Sequence, residues 1–193
     1  KLYVSGAEKI EKNLRKLTGL ASKLGIKVVN TADWHNKNSK EISDNPDFVN
    51  TFPEHCMEYT QGAEFIPATI PHNPYVIDWK AEDFDERTIV NRRNIVLYKD
   101  KFDVFSGTPH SYEIVDILKP ERAIVYGVAT NVCVNDAVNG LLERKIQVYI
   151  PTDAIKELPN LPLPYESWIK KGAILTTTKD VCKFLAKKTN YEI

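Results

Sequence analysis

Tyr126-Gly-Val-Ala-Thr-Asn-Val-Cys133-Val-Asn-Asp-Ala-Val138 is the stretch whose reading decides the fold. Residues Arg122 to Tyr126 read as a buried strand, Gly127 as a tight turn, and a helix opens at Thr130 or Asn131. Cys133 then lies in the first turn of that helix. A helix N-terminus carries unpaired N–H groups and partial positive charge, which stabilise a thiolate. Strand, turn and helix with a cysteine at that point make a nucleophile site. The competing reading is a small buried hydrophobe. Two other strand ends bear on the choice.

Upstream, Ser5-Gly-Ala-Glu8 has the form of a capping box, followed at helical spacing by Ile10, Leu14, Leu17, Ala21 and Leu24. Gly25 stops that helix. An apolar strand, Lys27 to Asn30, runs into Thr31-Ala-Asp33-Trp-His35. Helix-then-strand is the second part of a βαβ unit, so a first strand belongs before Lys1. The polar stretch from Asn36 to Gln61 is too long for an ordinary connection, which marks function or disorder. Pro74 to Trp79 reads as a short extended segment, and Asn94 to Tyr98 as a strand ending at Lys99. Thr108-Pro109 predicts an N-cap and first helical residue for a helix to Leu118. Beyond Cys133, Val134, Ala137, Val138, Leu141 and Leu142 form a core-facing stripe. A strand over Ile146–Ile150, a short helix over Tyr165–Lys171, a strand over Ala173–Thr176 and a helix from Thr178 to Lys187 complete the order. Alternating strands and helices with short buried strands predict an α/β fold, three-layer α/β/α, around a mostly parallel sheet.

The chain has 193 residues, with 26 basic and 26 acidic side chains. That is the size of one domain, and the balanced charge favours neither nucleic acid nor an anionic membrane. No apolar run approaches the ~20 residues of a membrane span, and no signal peptide is visible. The three cysteines, Cys56, Cys133 and Cys182, are odd in number and widely spaced. They argue against a disulfide framework and for a reducing, cytoplasmic setting.

In open α/β sheets, sites form beyond the carboxyl ends of the strands. Three such ends carry reactive side chains here. Asp33 and His35, two apart, point to one side of an extended chain and suit a divalent metal. His55 would complete a three-ligand set, with Glu41 or Asp44 as further ligands. Lys99 lies just past its strand. It either snorkels to water or reaches Cys133 and lowers its pKa. Lys101 has the same facing, and the residues alone leave that choice open. At the third end, N–H groups near Ala129 and Cys133 would form an oxyanion hole. The three ends together predict acyl transfer through a thioester.

These residues resemble a known family. Gly127-Val-Ala-Thr-Asn-Val-Cys133-Val resembles the active-site motif of the isochorismatase-like cysteine hydrolases. Lys99-Asp-Lys-Phe102-Asp-Val-Phe105-Ser resembles their lysine motif, whose spacing selects Lys99 over Lys101. Asp33-Trp-His35 with Phe52-Pro-Glu-His55-Cys56 and Gly62-Ala-Glu64 resembles the metal-binding, nicotinamidase-like branch. Ordered matches run from about Leu2 to Thr178.

The resemblance implies a six-stranded, largely parallel sheet and hydrolysis of a linear amide, nicotinamide to nicotinic acid and ammonia. It implies Cys133 as nucleophile, Lys99 as its activator, and a cis Val128–Ala129 bond that sets the Ala129 N–H in the oxyanion hole. Asp33, His35 and His55 would bind zinc, with iron or manganese as alternatives, and Phe52 and Phe102 would flank a substrate ring. The implied partners are a small-molecule amide and further copies of the chain. The family's catalytic aspartate ends a strand that precedes Leu2-Tyr-Val-Ser. The chain is therefore read as one hydrolase domain over 1–193, N-terminally incomplete by roughly 10–20 residues, a strand and its turn. Other readings are an N-carbamoyl, ureido or isochorismate hydrolase on the same scaffold, or a non-catalytic homologue.

Overall fold

The structure is a computed structural model that describes residues 2–189. It divides into two compact units. The first holds Lys27–Lys119 with the start of the chain through Tyr3, and the second holds Val4–Ile26 with the chain from Pro120 onward. The expected α/β order with parallel pairing is present in both.

In the first unit, β1 (Val28–Asp33), β2 (Tyr75–Ile77) and β3 (Asn94–Lys99) form a parallel sheet in the order β1-β3-β2. The middle strand carries Ile95, Val96 and Leu97, all buried, as befits a strand covered on both faces. The β1–β3 register sets Asp33 opposite Lys99. The charged stretch before β3 contains helix α2 (Glu86–Asn91). Asp85 caps its start, accepting from the Arg87 N–H at 3.0 Å and the Thr88 hydroxyl at 2.6 Å. Lys27 caps its end by donating to the carbonyls of Ile89, Val90 and Arg92, where a cation also meets the helix dipole.

Two short helices follow, α3 (Val104–Gly107) and α4 (Ser111–Leu118). The predicted N-cap at Thr108 is not used, and α4 opens behind His110. Thr108 is extended instead, with φ −141° and ψ 135°, and ends α3. The turn between is held by side chains that reach outward: Ser111 Oγ donates to the Val104 carbonyl at 2.5 Å, and the His110 ring bonds the Ala81 carbonyl at 2.8 Å.

The second unit starts with a 3₁₀ turn, Ala7–Ile10, that runs into α1 (Glu11–Lys23). The predicted capping box does not form. Gly6 sits at φ +82° before the turn, with no side-chain cap bond. Backbone bonds close the turn instead, from Ala7 N–H to the Val4 carbonyl at 3.0 Å and from Lys9 N–H to the Gly6 carbonyl at 3.1 Å. The apolar stripe is as read, with Ile10, Leu14, Leu17 and Ala21 buried.

Strands β4 (Arg122–Ile124), β6 (Gln147–Pro151) and β8 (Ile174–Thr176) form a parallel sheet in the order β4-β6-β8. Between them come β5 (Gly127–Val128) and β7 (Ile155–Lys156), which pair in parallel as a separate ladder. Helices α5 (Cys133–Glu143), α6 (Tyr165–Lys170) and α7 (Thr178–Thr189) complete the unit. Val134 and Val138 of α5 pack with Val148, Ile150, Ile155, Ala173 and the fully buried Trp168. Trp168 Nε1 donates to Asn135 Oδ1 at 3.0 Å, so the one polar atom of that ring is satisfied.

Among the described residues the strands number eight and form three parallel ladders. The break after β6 has a local cause. A 3₁₀ turn, Thr152–Ala154, bends the chain there, and pairing resumes only at Ile155. The single buried strand read over Arg122–Tyr126 ends at Ile124, and Gly127 belongs to the next strand rather than to a tight turn. Its φ of +126° is a conformation that side chains disfavour. No helix among the described residues is long and apolar enough to cross a membrane.

Two substitutions test this packing by urea denaturation. Ile95→Ala, at a fully buried site in β3, is expected to lower stability by about 2–5 kcal/mol. Gly19→Ala, on the exposed face of α1 with open space around the new methyl, is expected to raise it by about 0.5–1 kcal/mol.

Candidate active site

Asp33 ends β1, and His35 follows two residues on, as the extended chain requires. His55 comes from the long loop after them. Among the described residues these three alone gather as a possible metal-binding set, their ligand atoms all within 4.8 Å of one another. The loop is not loose: the His35 N–H donates to the Cys56 carbonyl at 3.1 Å, and the Glu58 N–H donates to the His35 carbonyl at 2.8 Å. A second parallel bridge joins Ile42 to Phe52. The stretch read as function or disorder is an ordered loop whose far end is stitched back to the strand end.

The ring nitrogens fit a cation. His55 Nδ1 lies 2.9 Å from the Pro53 carbonyl, which can only accept, so Nδ1 carries the hydrogen and Nε2 the lone pair. His55 Nε2 and both ring nitrogens of His35 are buried without a hydrogen-bond partner. Unpartnered buried nitrogens are costly, and a divalent ion would satisfy them. Burial pushes the His35 imidazole down to about 4; Asp33 and the Asp100 backbone oppose this, while His55 and Lys99 add to it. Its neutral form, the one that ligates metal, therefore prevails at neutral pH. Two imidazoles and a carboxylate suit zinc and leave coordination positions open.

Lys99 is almost fully buried and ion-pairs with Asp33, also donating to the Lys101 carbonyl at 2.9 Å. It does not snorkel. Glu41 lies outside the three-ligand cluster. Burial raises its carboxyl to about 7, against the Phe102 N–H and Lys99, and its Oε2 is buried without a partner. Asp44 is exposed and likewise outside the cluster. Burial pushes the Cys56 thiol up to about 11, so this neighbour of His55 stays protonated at neutral pH and is a poor ligand. Phe52 and Phe102 are both buried. Their rings meet edge to face at 5.3 Å, and Phe102 stacks on His55 at 6.0 Å. They wall the second histidine.

Asp47 was not singled out by the sequence reading. Its Oδ1 accepts from the N–H groups of Val49, Asn50 and Thr51 at 2.9, 2.7 and 2.8 Å. These bonds, with the Asn50 side chain, hold its carboxyl well below the ordinary 3.8. The clamp fixes the turn that enters Phe52 and His55. Asp-Phe-Val-Asn-Thr carries the signal in the sequence, since an aspartate readily bonds the backbone that follows it.

In the second unit the Val128–Ala129 peptide is cis, as the family resemblance implies. The Thr130 N–H donates to the Lys156 carbonyl at 2.9 Å, and the Ala129 carbonyl accepts from Val132 and Val134 at 3.1 Å each. Cys133 is the first residue of α5, half-buried. The helix opens two to three residues later than read, because Asn131 is engaged elsewhere. Its amide donates to the carbonyls of Leu158 and Leu161 at 2.9 and 3.1 Å, and its oxygen accepts from the Leu158 N–H at 3.0 Å. Asn131 therefore fastens the 158–161 loop and leaves the cap position to Val132.

An α/β chain of parallel ladders, with an Asp/His/His cluster and a cysteine opening a helix after a cis bond, defines a class of hydrolase. The Isochorismatase domain family matches residues 2–162, and the chain belongs to the isochorismatase-like hydrolases. Solved structures show the same fold at low identity. N-carbamoylsarcosine amidase of Thermoplasma acidophilum aligns with TM-score 0.69 and 19% identity, over 92% of this chain and 87% of that one. Pyrazinamidase of Pyrococcus horikoshii, in complex with zinc, aligns with TM-score 0.67 and 21% identity, over 90% and 88%. A nicotinamidase/pyrazinamidase of Acinetobacter baumannii aligns with TM-score 0.68 and 17% identity, over 93% and 89%. No curated protein matches the chain with significance.

Two measurements probe the first unit. Isothermal titration with zinc should give one site, lost in His35→Ala and His55→Ala. Because the Asp47 carboxyl is depressed when folded, its stabilisation is present above pH 3.8 and lost as pH falls through the folded value. Asp47→Asn should remove that acid sensitivity, read as hydrogen exchange at Val49–Thr51 between pH 5 and 2.

Proposed function

We propose that the protein hydrolyses a small carboxamide, with nicotinamide the leading substrate, to the acid and ammonia through a thioester on Cys133. The observation that carries this is the Asp33/His35/His55 cluster with its three orphaned ring nitrogens beside the buried Lys99. By the resemblance, the branches that act without a metal generally lack such a set.

In this reading the Cys133 thiolate attacks the amide carbon, aided by its place at the start of α5; the resemblance assigns Lys99 as its activator. The N–H groups of Ala129 and Cys133 accept the charge that builds on the carbonyl oxygen. The C–N bond breaks, the nitrogen takes a proton and leaves as ammonia, and an acyl-cysteine remains. Water then adds, the C–S bond breaks, and the thiol regains its proton as the acid departs. Asp33, His35 and His55 would hold a divalent ion such as zinc, which would supply Lewis-acid chemistry to the bound substrate. Phe52 and Phe102 flank the ring.

Ammonia release from nicotinamide by the full native protein tests the substrate, and none would refute it. Cys133→Ala should cost at least about a thousandfold in kcat; wild-type rates in that variant would sink the mechanism. A protein without bound divalent metal that hydrolyses an N-carbamoyl compound instead would support the alternative branch.

A further inference from the structure

Gly107 has no conformational reason to be glycine. Its φ lies outside the left-handed region, unlike Gly6, Gly25, Gly127 and Gly172. Its reason is space. The chain leaves β3 at Lys99, passes through Asp100 to Asp103 and α3, and returns so that Gly107 lies on the peptide of Lys101. A Cβ on Gly107 would sit 2.9 Å from the Lys101 nitrogen, 2.9 Å from the Lys101 oxygen and 3.1 Å from Lys99 Cβ. The first two contacts are with backbone, and no rotamer change relieves them. The crossing is pinned on both sides. The Asp100 N–H donates to the Gly107 carbonyl at 3.0 Å, and the Gly107 N–H donates to the Asp103 carbonyl at 2.7 Å.

The Lys101 carbonyl is the one that accepts from Lys99 Nζ at 2.9 Å. A buried ammonium needs its acceptors held in place, since its desolvation is offset only by them. Asp33 supplies a charged acceptor and Lys101 a neutral one. We propose that Gly107 is a positioning residue for Lys99: by admitting the Lys101 peptide against its own Cα, it aims the Lys101 carbonyl at the ammonium and fixes where that charge lies. The catalytic consequence rests on the amidase reading above; the positional one does not.

The test uses the full native protein loaded with zinc, comparing wild type, Gly107→Ala and, as control, Gly19→Ala. Two readouts are taken at a temperature where all three are folded. The first is acetylation of Lys99 by an amine-reactive ester, followed by peptide mass spectrometry. Lys99 should resist acetylation in wild type and in Gly19→Ala, and should label at least tenfold faster in Gly107→Ala. The second is nicotinamide hydrolysis. Gly107→Ala should lose about 10- to 100-fold in kcat, with KM within twofold and zinc stoichiometry unchanged, as a displaced catalytic group does.

A variant that loses kcat without exposing Lys99 would overturn the proposal, as would unchanged labelling and kcat. If wild type does not hydrolyse nicotinamide, the functional reading fails while the labelling still decides the positioning. Should Gly107→Ala not fold, Asp103→Ala takes its place. It removes the carboxylate that accepts from the Phe105 N–H at 2.9 Å and so loosens the same turn without adding a Cβ. Faster Lys99 labelling there supports the proposal, and wild-type protection refutes it.

Discussion

The pairing of Lys99 with Asp33 is the constraint around which the first unit is arranged. An ammonium this deeply buried carries a desolvation penalty of several kcal/mol unless an anion and further acceptors meet it. The parallel register of β1 on β3 supplies the anion, because it makes Asp33 and Lys99 direct neighbours. The same register sends the chain past Asp33 into His35, so one strand alignment fixes both the ion pair and the first two metal-binding candidates. Lys99 engages Oδ1 of that carboxylate. Removing Asp33 would therefore strand a buried charge as well as empty a ligand position, and the two effects would have to be separated by pairing it with a change at Lys99.

The second unit solves a different problem, that of holding a cysteine where helical N–H groups begin. The ladder of β5 on β7 stops at Val128 and Lys156, and the Lys156 carbonyl still reaches forward to Thr130. The Ala129 carbonyl serves two donors, Val132 at the cap and Val134 in the first turn of α5. The helix start is thus set by main-chain bonds, and Val132 at the cap needs no polar side chain.

This explains which parts were legible in the sequence. Apolar periodicity is a property of side chains and burial, so the α1 stripe, the β3 core and the stripe on α5 could be read directly. Helix starts could not, wherever a strong capping residue had a better partner. Ser5-Gly-Ala-Glu8 yields to a backbone turn at Gly6; Thr108 stays extended; Asn131 spends its whole amide on a loop nearly thirty residues away. Each loses its local role to a contact that spacing does not encode. The candidate residues of the metal set were legible through the Asp-x-His spacing and the resemblance, but their convergence was not, because it depends on how the loop folds back. Asp47 was missed for the same reason that Asn131 was misjudged: short polar side chains declare that they will bond to backbone, not which backbone.

The stitching of that loop has an evolutionary consequence. His35 is joined to Cys56 and Glu58 only through main-chain N–H and C=O groups, which every residue other than proline possesses. Nothing in those bonds specifies a side chain. The intervening sequence is thereby released from encoding that join in its side chains and can drift in composition, provided it keeps its length, its turns and the Asp47 clamp before Phe52 and His55. A motif search tuned to side chains would register such a segment as noise between two fixed points, while the distance between the imidazoles stayed the same.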